Sequence, residues 1–147
     1  MRKAVRTFLI QNNEIIAIQY KREMDKGYYD IPGGKIEENE TSEEASIREF
    51  KEETGIQITK QRKIGNAIVE YPHRIFNFDL YIATEYTGNP LEFQENTSQW
   101  IEIEKLIKEK KIFPSIEILK HILNNNETIK LKIECNENHI ITKVLDK

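Results

Sequence analysis

The strongest constraint in this chain is a helix whose two ends are both written into the sequence. Thr41 is followed three residues later by Glu44, the spacing at which the two side chains cap each other's backbone N–H groups. Gly55 is a natural terminator, because glycine adopts the left-handed conformation that closes a helix. The spacing therefore predicts a helix over roughly 42–54. At about 100° per residue, Glu49, Glu52 and Glu53 fall within roughly 100° of arc, and Ile47, Phe50 and Thr54 within roughly 60° on the opposite side. One face is made to be buried, and the other carries three carboxylates. Like charges at these spacings cost roughly 0.2–0.5 kcal/mol a pair when nothing neutralises them. A hard divalent cation, bound through carboxylate oxygens, reverses that sign.

The remainder of the chain supports one ordinary domain around this helix. With 147 residues, there is enough chain for a sizeable core. Charged residues make up 32% of the sequence, but the apolar 38% is periodic and clustered, which argues against disorder. A net charge of −3 speaks against an extended nucleic-acid surface while allowing a small nucleotide as partner. The single cysteine, Cys135, excludes an internal disulfide and a cysteine-built zinc site, and it fits a reducing, cytoplasmic location. The N-terminal apolar run is too short for a signal peptide, and no run is long enough to span a membrane.

Taken in order, residues 3–10 and 14–20 read as a strand pair around the Gln11-Asn12-Asn13 turn. The charged stretch 21–27 is a connector, and its Lys21 and Arg22 could meet a phosphate-bearing substrate. Residues 28–31 form a short strand running into Pro32-Gly33-Gly34, where the backbone can turn tightly and approach a ligand. After the helix come strands at 56–59, 63–71 and 75–85. The last alternates Phe76, Phe78, Leu80 and Ile82 with polar neighbours, as in a sheet with one buried face. Residues 91–98 read as an exposed loop and 100–103 as a short strand. Helical runs follow at about 104–110 and from Pro114 to about Leu123. Asn124–Asn126 reads as a linker, and residues 128–147 as an appended β-hairpin.

The helix and its approach match a long pattern of fixed offsets: Gly34, Glu40, Arg48, Glu49, Phe50, Glu52, Glu53, Gly55 and Ile56. This resembles the Nudix signature at every fixed position, with aromatic Phe50 where an aliphatic residue is usual. The similarity to MutT-like members of that family extends from about residue 3 to about residue 124. It implies an α/β/α sandwich with a mixed central sheet, to which the C-terminal hairpin is appended. The expected division is a Nudix domain over residues 1–126 and a hairpin extension over 127–147.

The resemblance also implies a chemistry. Nudix hydrolases cleave the diphosphate linkage of nucleoside diphosphate derivatives with Mg²⁺ or Mn²⁺. That use fits a carboxylate face, which would repel a diphosphate unless it held cations that bridge the phosphate oxygens and acidify water. By this likeness Glu49, Glu52, Glu53 and the Gly33 carbonyl are the metal ligands. Arg48 orients Glu49, Glu40 pairs with Arg48, and Gly34 belongs to the surrounding loop. The general base is expected to be Glu95, five residues before Trp100, with Glu92 as second candidate and Glu49 or Glu52 as alternatives on the helix itself. Tyr71, His73, Phe76 and Phe78 lie in the region where MutT-like proteins hold a base. Ile116 stands where an asparagine reads the purine edge in proteins that cleave oxidised guanine nucleotides, with Ser115 and Glu117 beside it. The implied reaction is (d)NTP to (d)NMP and pyrophosphate. The alternatives are cleavage of ADP-ribose, a nucleotide sugar or capped RNA, or a non-catalytic nucleotide sensor. His121 and His139 lack a partner at metal-binding spacing. The appended hairpin is expected to serve either as a homodimer edge or as a lid.

Overall fold

The computed structural model of the chain describes residues 1–124 and 128–146. The signature helix, α1 (Ser42–Thr54), has the boundaries that its caps dictate. Thr41 Oγ1 accepts from Glu44 N–H at 3.1 Å, and Glu44 Oε1 accepts from Thr41 N–H at 2.9 Å. At the other end Gly55 has φ 81° and donates its N–H to the Lys51 carbonyl. Ala45, Ser46, Phe50 and Thr54 form the buried face.

That face lies on a six-stranded mixed sheet. Its strands are β1 (Arg2–Phe8), β5 (Gly33–Lys35), β6 (Gln57–Tyr71), β7 (Arg74–Thr87), β9 (Ile129–Cys135) and β10 (Ile141–Asp146), in the order β10-β9-β6-β7-β1-β5. The β1–β7 and β6–β9 pairs are parallel, and the other neighbours are antiparallel. A second sheet holds β2 (Ile10–Gln11), β3 (Glu14–Tyr20), β4 (Tyr29–Asp30) and β8 (Asn96–Glu102), with β8 paired to β3. A short 3-10 turn covers Glu23–Asp25. Helices α2 (Ile103–Lys108) and α3 (Ser115–Leu123) follow β8.

Both faces of the central sheet are buried, so β7 departs from the expectation of one buried face. Ala4 and Phe8 of β1, with Phe78 and Leu80 of β7, pack with Ile116, Ile118 and Leu119 of α3. The alternate positions Val5 and Tyr81 pack with Ala45, and Leu9 and Ala83 with Phe50. Period two thus supplies two cores from each strand. The helix is further pinned by buried hydroxyls. Ser46 Oγ donates to Gln61 Oε1 at 2.7 Å, so the 2.6 Å contact with Thr7 Oγ1 has Thr7 as donor.

Other boundaries move for identifiable reasons. Residues 57–71 form one strand with register shifts, one of them at Gly65, where the sequence reads as two. Gly65 faces the backbone of Ile129 so closely that a Cβ would lie 2.0 Å from its carbonyl oxygen. Gly33 and Gly34 are part of strand β5, beyond their expected role as a turn. Residues from Asn96 onward form a strand where a loop is expected, because they pair antiparallel with β3, while Asn96 Nδ2 donates to the Glu53 carbonyl at the end of α1 and Ser98 Oγ to the Leu91 carbonyl at 2.6 Å. The domain boundary expected at 126–127 and most of the Asn124–Asn126 linker lie outside the described residues.

Candidate functional site

Two surfaces converge on β1 and β5: the carboxylate face of α1 and an aromatic cleft across the sheet. Arg48 organises the first. Its Nε and Nη2 bind Glu40 at 2.6 and 2.9 Å, and its Nη2 also donates to the Lys35 carbonyl at 3.0 Å. Its Nη1 meets Glu49 Oε1 at 2.9 Å and Glu52 Oε1 at 3.0 Å. The bidentate grip of Arg48 lowers the Glu40 carboxyl to a pKa of about 2. Glu49 is half-buried, and desolvation raises its pKa against the pull of Arg48. Glu53 accepts from the Gly33 N–H at 2.7 Å; burial raises its carboxyl to about 8, opposed by that hydrogen bond and by Arg6.

The pairing of β5 with β1 brings the glycine backbone against these carboxylates. A Cβ on Gly34 would stand 2.4 Å from Glu49 Oε2, so glycine is required for the carboxylate to lie there. This oxygen-only donor set suits a hard cation such as Mg²⁺. In the arrangement present, Arg48 holds Glu49 and Glu52 while Glu53 holds Gly33. Accordingly, among the described residues no three His, Cys, Asp or Glu side chains form a metal-ready cluster.

The second surface is a cleft of about 660 Å³. Its floor holds Phe76 and Phe78, stacked with centroids 5.5 Å apart and planes 11° apart. Arg6 crosses Phe78 at 4.5 Å and reaches Asp30 at 3.5 Å and Ser115 Oγ at 3.1 Å. Asp30 is fully buried, accepts from Tyr20 OH at 3.1 Å and from Ile31 N–H at 2.8 Å, and has its pKa raised by desolvation against the pull of Arg6. Arg74 lies over the Tyr71 ring at 4.4 Å, and its buried Nε has no hydrogen-bond partner among the described residues. Arg2, Arg6, Phe76 and Phe78 also line an adjoining cavity that ends at Gly34 and Lys35. The two cavities share Arg2, Arg6, Phe76 and Phe78, and the second reaches the β5 edge at Gly34, the residue that stands against Glu49.

The structure brings together Gly33, Gly34, Glu40, Arg48, Glu49, Glu52 and Glu53, and separately Tyr71, Phe76 and Phe78. Two expected substrate contacts fall elsewhere. His73 is exposed and does not line the cleft, whereas the next residue, Arg74, does. Ile116 is fully buried in the core because Pro114 takes the N-cap of α3, leaving Ser115 on the cleft and turning Ile116 inward. Glu95 is exposed and is tied in by its carbonyl, which accepts from Lys21 N–H at 2.9 Å. Lys21 Nζ holds Glu92 and the Phe93 carbonyl, so this loop lies beside the end of α1 that Asn96 caps. Arg6, Tyr20, Asp30, Phe113 and His139 also line the cleft, although the sequence does not single them out. The available signals are an arginine inside the apolar strand KAVRTFLI and an aspartate inside YYDI.

A family model for the NUDIX domain matches residues 1–122. The chain belongs to the Nudix family. Within it the chain is MutT-like. It is 33% identical over 100 residues to the oxidized purine nucleoside triphosphate hydrolase of Danio rerio, a match covering 67% of this chain and 64% of that protein. It is 35% identical over 81 residues to the 8-oxo-dGTP diphosphatase of Proteus vulgaris, covering 55% of this chain and 72% of that protein. The fold matches the MutT protein of Bacillus halodurans with a TM-score of 0.85 at 18% identity, over 99% of this chain and 97% of that one. Among the described residues no helix is long and apolar enough to cross a membrane.

Proposed function

We propose that this chain is a Mg²⁺- or Mn²⁺-dependent pyrophosphohydrolase acting on (d)NTPs to release (d)NMP and pyrophosphate. One observation carries the reading: Arg6 and the Phe76–Phe78 pair line both the aromatic cleft and the cavity that ends at Gly34, against Glu49. A flat base and a charged phosphate chain on one substrate fit a groove that is aromatic at one end and, at the other, is lined by Arg2, Lys3 and Lys35 and reaches Gly34, the neighbour of Glu49. The names of the Danio and Proteus relatives point to the same class of substrate.

Glu49, Glu52, Glu53 and the Gly33 carbonyl are the oxygen donors that would hold the cation, with Glu49 and Glu52 exchanging their contacts to Arg48 for it. When bound, the ion neutralises phosphate charge and acidifies water. Arg48 then remains anchored by Glu40 and Lys35, and so fixes the backbone approach to the helix. Arg6, held by Asp30 and Ser115, offers a positive charge between base and phosphates. Glu95 or Glu92, on the loop beside the end of α1, would take the proton of the attacking water, with Glu49 or Glu52 as alternatives. Recognition of an oxidised purine cannot use Ile116, which is buried; the polar groups lining the cleft are Ser115, Asp30 and the arginines.

A Mg²⁺ screen over (d)NTPs, 8-oxo-dGTP, ADP-ribose, nucleotide sugars and capped RNA, read by chromatography as loss of substrate and formation of its nucleotide product, tests the reading. The expected result is turnover on one or more (d)NTPs above the others. Preference for ADP-ribose, a nucleotide sugar or capped RNA would replace the substrate assignment. Silence on all of them, with nucleotide binding intact, would make the protein a sensor.

A further inference from the structure

The C-terminal hairpin contributes more to the molecule than two strands at the sheet edge. Strand β9 runs parallel to β6 in a register that pairs Glu70 with Glu134. Cys135 is thereby level with Tyr71, and the turn 136–140 projects past the end of β6, over the cleft. The turn is built rather than loose. Asn136 Oδ1 accepts from the N–H groups of Asn138 and Ile140 at 2.8 and 3.1 Å, and His139 N–H donates to the Asn136 carbonyl. His139 takes φ 66°, an uncommon conformation for a residue with a side chain, which persists where surrounding contacts determine it.

Those contacts all lie at the cleft. The His139 ring stands 4.0 Å from the Phe113 ring, and 5.5 Å from both Tyr28 and Tyr71. Its Nδ1 is 2.7 Å from Tyr71 OH, and its Nε2 is 3.5 Å from Asp25 Oδ1. Asp25 in turn holds Arg22 at 2.8 Å. With Nε2–H facing the carboxylate, Nδ1 accepts from the tyrosine hydroxyl. Burial raises the Tyr71 pKa, which keeps that hydroxyl protonated as the donor. One imidazole thus joins the end of β6, the 3-10 turn and the segment before α3, four chain segments with its own.

We propose that the hairpin tip is the far wall of the base site and that His139 is a positioning residue, setting the affinity for the base by holding Tyr71 and Phe113 in place. The proposal rests on the nucleotide reading above. It assigns the hairpin a part in choosing the substrate's ring, whereas a purely structural hairpin would affect every ligand alike.

The test uses the full chain and the best nucleotide from the screen, with inorganic tripolyphosphate, which has no base, as competitor. His139→Ala is expected to raise KM for the nucleotide about ten-fold, as for loss of one buried hydrogen bond and its packing. kcat and the inhibition constant of tripolyphosphate should stay within about three-fold. His139→Asn, which tolerates positive φ and offers an acceptor near the Nδ1 position, should recover most of the loss. An unchanged KM, or a parallel rise in KM and in the tripolyphosphate constant, overturns the proposal. If His139→Ala fails to fold, Tyr71→Phe removes the same hydrogen bond with the ring retained. A raised KM with an unchanged tripolyphosphate constant is again expected, and an unchanged KM overturns the proposal. A wild-type chain that neither cleaves nor binds any nucleotide refutes the function itself and this inference with it, a result distinct from failure in the variants alone.

Discussion

The buried Arg6–Asp30 pair makes a quantitative prediction about what holds the cleft floor together. Asp30 has no exposed surface, and the Arg6 side chain is 13% exposed. Replacing Asp30 by Ala leaves three groups short: the Arg6 guanidinium, the Tyr20 hydroxyl and the Ile31 N–H. Removal of one partner from a buried ion pair costs about 3–5 kcal/mol. Arg6 keeps Ser115, the Val5 carbonyl and the Phe78 ring, which favours the lower half of that range. The expected loss is therefore about 3–4 kcal/mol in urea unfolding, or roughly 6–16 °C in Tm for a chain of this size. The double variant Arg6→Met, Asp30→Leu removes both charges and should lose less than Asp30→Ala alone, because no uncompensated charge remains. A loss below about 1 kcal/mol for Asp30→Ala, or full additivity in the double variant, would refute the assignment of this pair as a buried, coupled unit.

Three further outcomes follow from the same geometry. Gly34→Ala should cost at least about ten-fold in kcat/KM with little change in Tm, since its Cβ meets only the Glu49 carboxylate among its closest neighbours; steady-state kinetics and thermal unfolding of the same sample check this. Glu40 should titrate near pH 2 in a carboxyl NMR titration. Because its folded pKa lies below the ordinary carboxylate value, the stability it adds is present at neutral pH and is lost as pH falls from about 4.5 towards 2, and Glu40→Gln should remove that part of the acid dependence. Cys135 is buried, and burial raises its thiol to about 11, so a thiol reagent at pH 8 should label it only after denaturant is added.

Local rules and tertiary placement divide what the sequence can reveal. Helix α1 is legible because Thr41, Glu44 and Gly55 act within one turn of their own positions, and the Arg48–Glu40 pair is legible because the signature fixes its offsets. Strand β8 is hidden because its inward residues Asn96 and Ser98 are polar: Asn96 satisfies the Glu53 carbonyl of α1 and Ser98 the Leu91 carbonyl, rather than filling a core. The continuity of β6 is hidden by the polar run Lys60-Gln61-Arg62, which reads as a connector but pairs with Glu85, Ala83 and Ile82 of β7 across two register shifts. The cleft could not be assembled from periodicity, since Arg6, Asp30, Tyr71, Ser115 and His139 come from five distant segments. The one-residue difference between Ser115 and Ile116 depends on where Pro114 sits at the N-terminus of α3.

The central claim is that the glutamate face of α1 performs metal-dependent cleavage of a nucleotide. Glu53→Gln tests it most directly, since the amide can still accept from the Gly33 N–H while losing the anionic oxygen. With Mg²⁺ and the best (d)NTP, the variant should lose at least about 10²-fold in kcat/KM while its thermal unfolding in the absence of metal shows an intact fold. Near-wild-type turnover by a folded Glu53→Gln protein would contradict the account.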